Sequence, residues 1–100
     1  MIKHIVMWKL KEEALGKTRE ENAKLLRERL ESLPPKIEQI RGFEVGENFN
    51  PAPTAFDFCL YSVFDDEASL GTYQAHPAHV EVRDFIMSIV EKAVVVDYTI

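Results

Sequence analysis

The sequence predicts an α+β domain in which strands and helices follow in the order βαββαβ, giving a four-stranded antiparallel sheet with helices on one face. Three observations lead there. Strand-like alternation opens and closes the 100-residue chain, and two further alternating runs sit back to back in its middle. Segments with helical spacing fall between the first and second strands and between the third and fourth. Two right-handed crossovers joined by a hairpin then give the spatial order 4-1-3-2.

The first strand, Ile2 to Leu10, places Ile2, His4, Val6, Trp8 and Leu10 on one face and Lys3, Ile5, Met7 and Lys9 on the other. Both faces carry apolar side chains, so cover is expected on each. Lys11 to Lys17 reads as a polar connection containing Gly16. Thr18 with Glu21 forms a capping-box pattern, and the helix it opens carries Leu25, Leu26, Leu30 and Leu33 at helical spacing. Pro34-Pro35 stops that helix, leaving Ile37 and Ile40 for one short turn before Gly42.

Phe43, Val45, Glu47 and Phe49 alternate with Glu44, Gly46 and Asn48 as an edge strand, and Asn50-Pro51-Ala52-Pro53-Thr54 is a turn. The third strand, Phe56 to Phe64, sets Phe56, Phe58, Leu60 and Phe64 against Cys59, Tyr61 and Val63 and suits the sheet centre. Asp65 is the expected N-cap of a helix on which Leu70 and Tyr73 share a face. Gly71 inside it costs roughly 1 kcal/mol relative to Ala, which a close approach to another surface would explain.

Pro77 then interrupts. It lacks an N–H and pushes the residue before it out of the α region, so one helix should end near Ala75 and another begin at Pro77. The second carries Val82, Phe85, Ile86, Ile89 and Val90 as a stripe, and Ala93 to Ile100 closes the sheet. One sheet face is left without helices. Its expected residues, Ile5, Met7, Cys59, Tyr61, Val63 and Val95, are largely apolar, so a second copy packing sheet against sheet is the expected partner. The expected assembly is a homodimeric α/β barrel of ferredoxin-like protomers.

Composition narrows the function classes. A net charge of -5, 46% hydrophobic and 29% charged residues are ordinary globular values, and Lys and Arg are scattered among Glu. No nucleic-acid or anionic-membrane partner is expected from that balance. Cys59 is the single cysteine, which excludes an intrachain disulfide and suits a reducing, cytoplasmic setting. No apolar run reaches the length of a membrane span.

The chemistry concentrates between Thr72 and Val80, where Tyr73, His76 and His79 lie. A break at Pro77 lets Tyr73 and His79 aim at one pocket, although six positions along an unbroken helix would point them apart. His79 would sit in a first helical turn, where the positive end of the dipole opposes a further proton and keeps the imidazole neutral. His4 on the more apolar face of the first strand reads as a core histidine unless its neighbours make it a site residue. His76 and His79 with His4 also fit a metal site, but no carboxylate or cysteine falls at a ligand position and none is expected.

The opening Ile-Lys-His-Ile-Val-Met-Trp-Lys-Leu-Lys, the Tyr-x-x-His-Pro-x-His segment from Tyr73 to His79 and the closing Val-Val-Val-Asp-Tyr resemble the stress-responsive dimeric A/B barrel (Dabb) family over nearly the whole chain. The resemblance implies one Dabb domain over residues 1–100 and dimerisation. A plant polyketide cyclase of the family performs an aldol-type ring closure without cofactor. By that resemblance Tyr73 and His79 correspond to its catalytic pair and His4 to a pocket histidine, whereas Phe58 replaces a further pocket histidine. The expected site therefore has Tyr73 and His79 as acid and base. His4, Val6, Trp8, Phe58, Leu70, His76 and Ile86 would bind a small apolar, acyl or β-keto compound with no cofactor. A dimeric module that binds such a ligand without turning it over, a stress-protection protein without a ligand and a cofactor-free monooxygenase are the competing readings.

Overall fold

A computed structural model of the chain describes residues 1–100. Strand β1 (Ile2–Leu10) is central and pairs antiparallel with β5 (Phe58–Phe64) on one side and β6 (Val90–Thr99) on the other; β4 (Gly42–Glu47) extends the sheet beyond β5. The order β4-β5-β1-β6 is the expected 4-1-3-2 of the four long strands. Helices α1 (Arg19–Glu31), α2 (Glu67–Ala75) and α3 (Pro77–Ile89) supply the crossovers. The polar connection contains a small hairpin not foreseen from the sequence, β2 (Glu13–Ala14) with β3 (Lys17–Thr18). Leu15 and Gly16 turn it with φ of 55° and 72°, the left-handed pair that a two-residue hairpin needs.

The capping box is present as read. Thr18 Oγ1 accepts from the Glu21 N–H and Glu21 Oε1 accepts from the Thr18 N–H. Leu26, Leu30 and Leu33 from this region, Leu10 and Phe64 from the sheet and Ile89 from α3 are fully buried and hold the helices to the sheet. Leu-to-Ala changes at such sites cost about 2–5 kcal/mol. Gly42 fits beside Val63 because a Cβ there would come within 3.1 Å of the valine methyl.

Several boundaries differ from the expectation, each for a local reason. Phe56 lies before β5, because Asp57 is used to bind β1: its carboxylate accepts from the Leu10 N–H at 2.7 Å and its own N–H donates to the Trp8 carbonyl at 2.9 Å. Phe49 lies beyond β4 and is 98% exposed. The N-cap of α2 is Asp66, which accepts from the Ser69 N–H, while Asp65 is held by Arg41. Val90 ends α3 and starts β6 instead of completing the helical stripe. Gly71 approaches nothing: a Cβ there would meet no heavy atom within 4 Å.

On the sheet face away from the helices, Met7, Val94, Val96 and Tyr98 are 42–52% exposed. Val95 does not belong to that face. It pairs with Val6, so it points to the helix side, and it is 62% exposed because the helices leave β6 bare. No helix is long and apolar enough to cross a membrane.

Candidate functional site

The interruption at Pro77 has the expected form. His76 adopts φ −63° and ψ 134°, ending α2 and capping α3, with its Nδ1 accepting from the Ala78 N–H at 3.1 Å. The bend brings Tyr73 of α2 and His79 of α3 together, ring centroids 4.5 Å apart. Phe64 closes on Tyr73 from the sheet at 4.8 Å, and His4 on β1 meets its ring edge-on at 6.3 Å.

Tyr73 is only 1% exposed, and its hydroxyl makes no hydrogen bond within the protomer. Burial alone pushes the phenol well above its ordinary range, so it stays protonated and able to donate. His79 Nδ1 lies 3.0 Å from the Gln74 carbonyl oxygen. A carbonyl only accepts, so Nδ1 carries the proton and Nε2 keeps its lone pair. Burial is the leading cause that lowers the His79 pKa, outweighing the Gln74 carbonyl, with Arg83, His4 and His76 adding to it. The imidazole is thus neutral near pH 7, chiefly through desolvation and not through the helix dipole that the sequence suggested.

His4 is the third member of this group, and its partner is a residue the sequence reading did not single out. Asp97, directly across from His4 in the β1–β6 register, places its carboxylate on His4 Nδ1. The carboxylate accepts, so His4 also holds its proton on Nδ1 and turns its far edge toward the core. The alternation of the closing Val-Val-Val-Asp-Tyr segment, combined with the expected β1–β6 pairing, was the signal that could have placed Asp97 there.

The remaining expected residues divide. Leu70 borders a cleft of about 340 Å³ between α2 and the end of β6, together with Ile2, Gly71, Gln74 and Asp97. Val6 and Ile86 pack half-buried against the core. Trp8 and Phe58 pair with each other, centroids 6.2 Å apart and four residues along β1 from His4, as ordinary core. His76 borders a separate hollow of about 410 Å³ with Thr72 and the segment after α1. His4, His76 and His79 do not gather with any His, Cys, Asp or Glu into a group of three that could hold a metal ion in this structure.

A split βαβ protomer with one apolar sheet face bare, and histidines and a tyrosine walled in on the other, defines a ferredoxin-like α+β barrel protomer. The sequence profile of the stress responsive A/B barrel domain matches residues 2–100, and the chain belongs to that family. An uncharacterized Streptomyces coelicolor protein is 38% identical over 80 residues, covering 79% of each chain. A dimeric ferredoxin-like protein of unknown function from Bacteroides fragilis is 35% identical, with TM-score 0.83 over 99% of this chain and 95% of that one. Hydroxynitrile lyase from Passiflora edulis shares the fold at 18% identity, with TM-score 0.83 over 99% of this chain and 92% of the lyase.

Proposed function

We propose that the protein works as a homodimer, pairing through its bare sheet face, and performs cofactor-independent acid/base chemistry on a small acyl or aromatic compound held at Tyr73 and His79. The observation that carries this reading is a buried phenol whose hydroxyl has no protein partner, set against a neutral imidazole at 4.5 Å. The ring is buried while the unpaired hydroxyl oxygen is not fully enclosed, so it stays protonated and reachable as a donor to a substrate oxygen.

His79 Nε2 takes a proton from the carbon next to a carbonyl, and the electron pair of that C–H bond moves into the carbonyl as an enolate. The Tyr73 hydroxyl donates to the enolate oxygen as its charge grows. Attack of the enolate carbon on a second carbonyl forms the new C–C bond, and the resulting alkoxide recovers the proton from His79. General-base help of this kind contributes about 10²- to 10⁴-fold. The Asp97 carboxylate fixes the His4 ring, which in turn packs the edge of the Tyr73 ring, so both act as positioning residues. The same fold carries a hydroxynitrile lyase in Passiflora edulis.

The test is deuterium exchange at the activated carbon of β-keto compounds, comparing the native protein with His79→Gln and Tyr73→Phe. Loss of accelerated exchange in both variants with ligand affinity retained supports catalysis. Binding without acceleration by the native protein would leave a ligand-binding module in its place.

A further inference from the structure

Gly71 costs α2 about 1 kcal/mol relative to Ala, and nothing in the packing requires it, since a Cβ there would meet no heavy atom within 4 Å. What its bare backbone does is leave open one wall of the cleft of about 340 Å³ between α2 and the end of β6. That cleft adjoins the site: Asp97 on its lining holds His4, and Gln74 on its lining holds His79 through the backbone carbonyl. Its two charged side chains are acceptors only, while Gln74, Tyr98 and Thr99 can donate or accept. Asp97 uses Oδ1 on His4 and keeps Oδ2 free, its side chain is 41% exposed, and Glu67, Thr99 and Gln74 stand around the mouth. The two charges on the lining, Glu67 and Asp97, are both negative.

Resting on the catalytic site argued above, we infer that the α2–β6 cleft admits the uncharged or cationic, hydrogen-bond-donating end of the ligand and rejects carboxylates, with Gly71 as the residue that sets its width. Amide, hydroxyl or ammonium groups match the free Asp97 oxygen and the Glu67 carboxylate. A carboxylate of the same size meets two like charges and no cation on the lining.

The experiment uses the full chain as a dimer and two probes of matched size, acetoacetamide and acetoacetate, followed by amide ¹⁵N NMR titration. Acetoacetamide is expected to shift the Gly71, Gln74 and Asp97 amides and to bind about tenfold more tightly than acetoacetate. Glu67→Gln should narrow that ratio roughly fivefold. Gly71→Met, a better helix former, should weaken acetoacetamide about tenfold while thermal stability is kept or raised. Equal or tighter binding of acetoacetate overturns the inference, as do shifts confined to other residues, an absence of shifts, or full affinity in Gly71→Met. The two readings fail separately: carboxylate preference with exchange activity intact removes this one alone, whereas amide preference without any exchange activity removes the catalytic one alone.

Discussion

Tyr73→Phe removes a single oxygen from a side chain that is 1% exposed, and the proposed chemistry assigns that oxygen to the substrate. The ring keeps its contacts with Phe64, His4 and His79 in the variant, so no cavity opens. A buried hydroxyl with a protein partner contributes about 0.5–1.5 kcal/mol net, and its loss would destabilise by that amount. The Tyr73 hydroxyl has no such partner and its oxygen is not fully enclosed, so Phe forfeits no protein hydrogen bond and relieves little desolvation. Stability should therefore stay within about 1 kcal/mol of the native value, which for a chain of this size keeps Tm within about 4–8 °C. Urea unfolding at fixed protein concentration, well above dimer dissociation, measures it. Tyr73→Ala serves as the packing control and should lose about 3–5 kcal/mol. Exchange activity should fall together with the hydroxyl in Tyr73→Phe. A variant destabilised by more than about 1 kcal/mol with unaltered activity would show the hydroxyl to be structural, and the site reasoning would be refuted.

Other perturbations test separate links. Stability should respond to His79 between its ordinary value of 6.5 and its lowered folded value. There the unfolded chain binds more protons, so stability is full above 6.5 and falls as the pH drops through the folded pKa; His79→Gln should flatten that slope in pH-dependent urea melts. Val96→Glu places a charge on the bare sheet face, where a paired sheet would bury it at a cost of several kcal/mol; light scattering should report monomers with unchanged circular dichroism, and a persistent dimer would move the interface elsewhere. Thr18→Ala removes the side-chain acceptor of the capping box and should cost about 1 kcal/mol in thermal melts, with activity untouched.

Much of this architecture was legible because each device was local. The Pro77 break, the Thr18–Glu21 box and the alternation of Ile2 to Leu10 need no tertiary information. The misplacements come from sequence that is locally ambiguous. Three consecutive valines at 94–96 carry no alternation, so only the pairing of Val95 with Val6 decides its face. Asp65 and Asp66 are equally good caps in isolation, and Arg41, remote in sequence, claims the first. Asp97 escaped notice because its role exists only across the sheet, against His4 at a separation of 93 residues. Trp8 and Phe58 show the opposite failure: apolar residues near the site in pattern are core in space, since two positions along a strand already move a side chain by about 7 Å.

The most direct trial of the shared Tyr73–His79 site is a ¹⁵N NMR titration of the His79 ring in the native dimer. The geometry requires the proton on Nδ1, bonded to the Gln74 carbonyl, a bare Nε2 near pH 7 and a midpoint below 6.5. Finding Nε2 protonated at neutral pH, as the other tautomer or as imidazolium, would leave the site without its base and contradict the mechanism at its source.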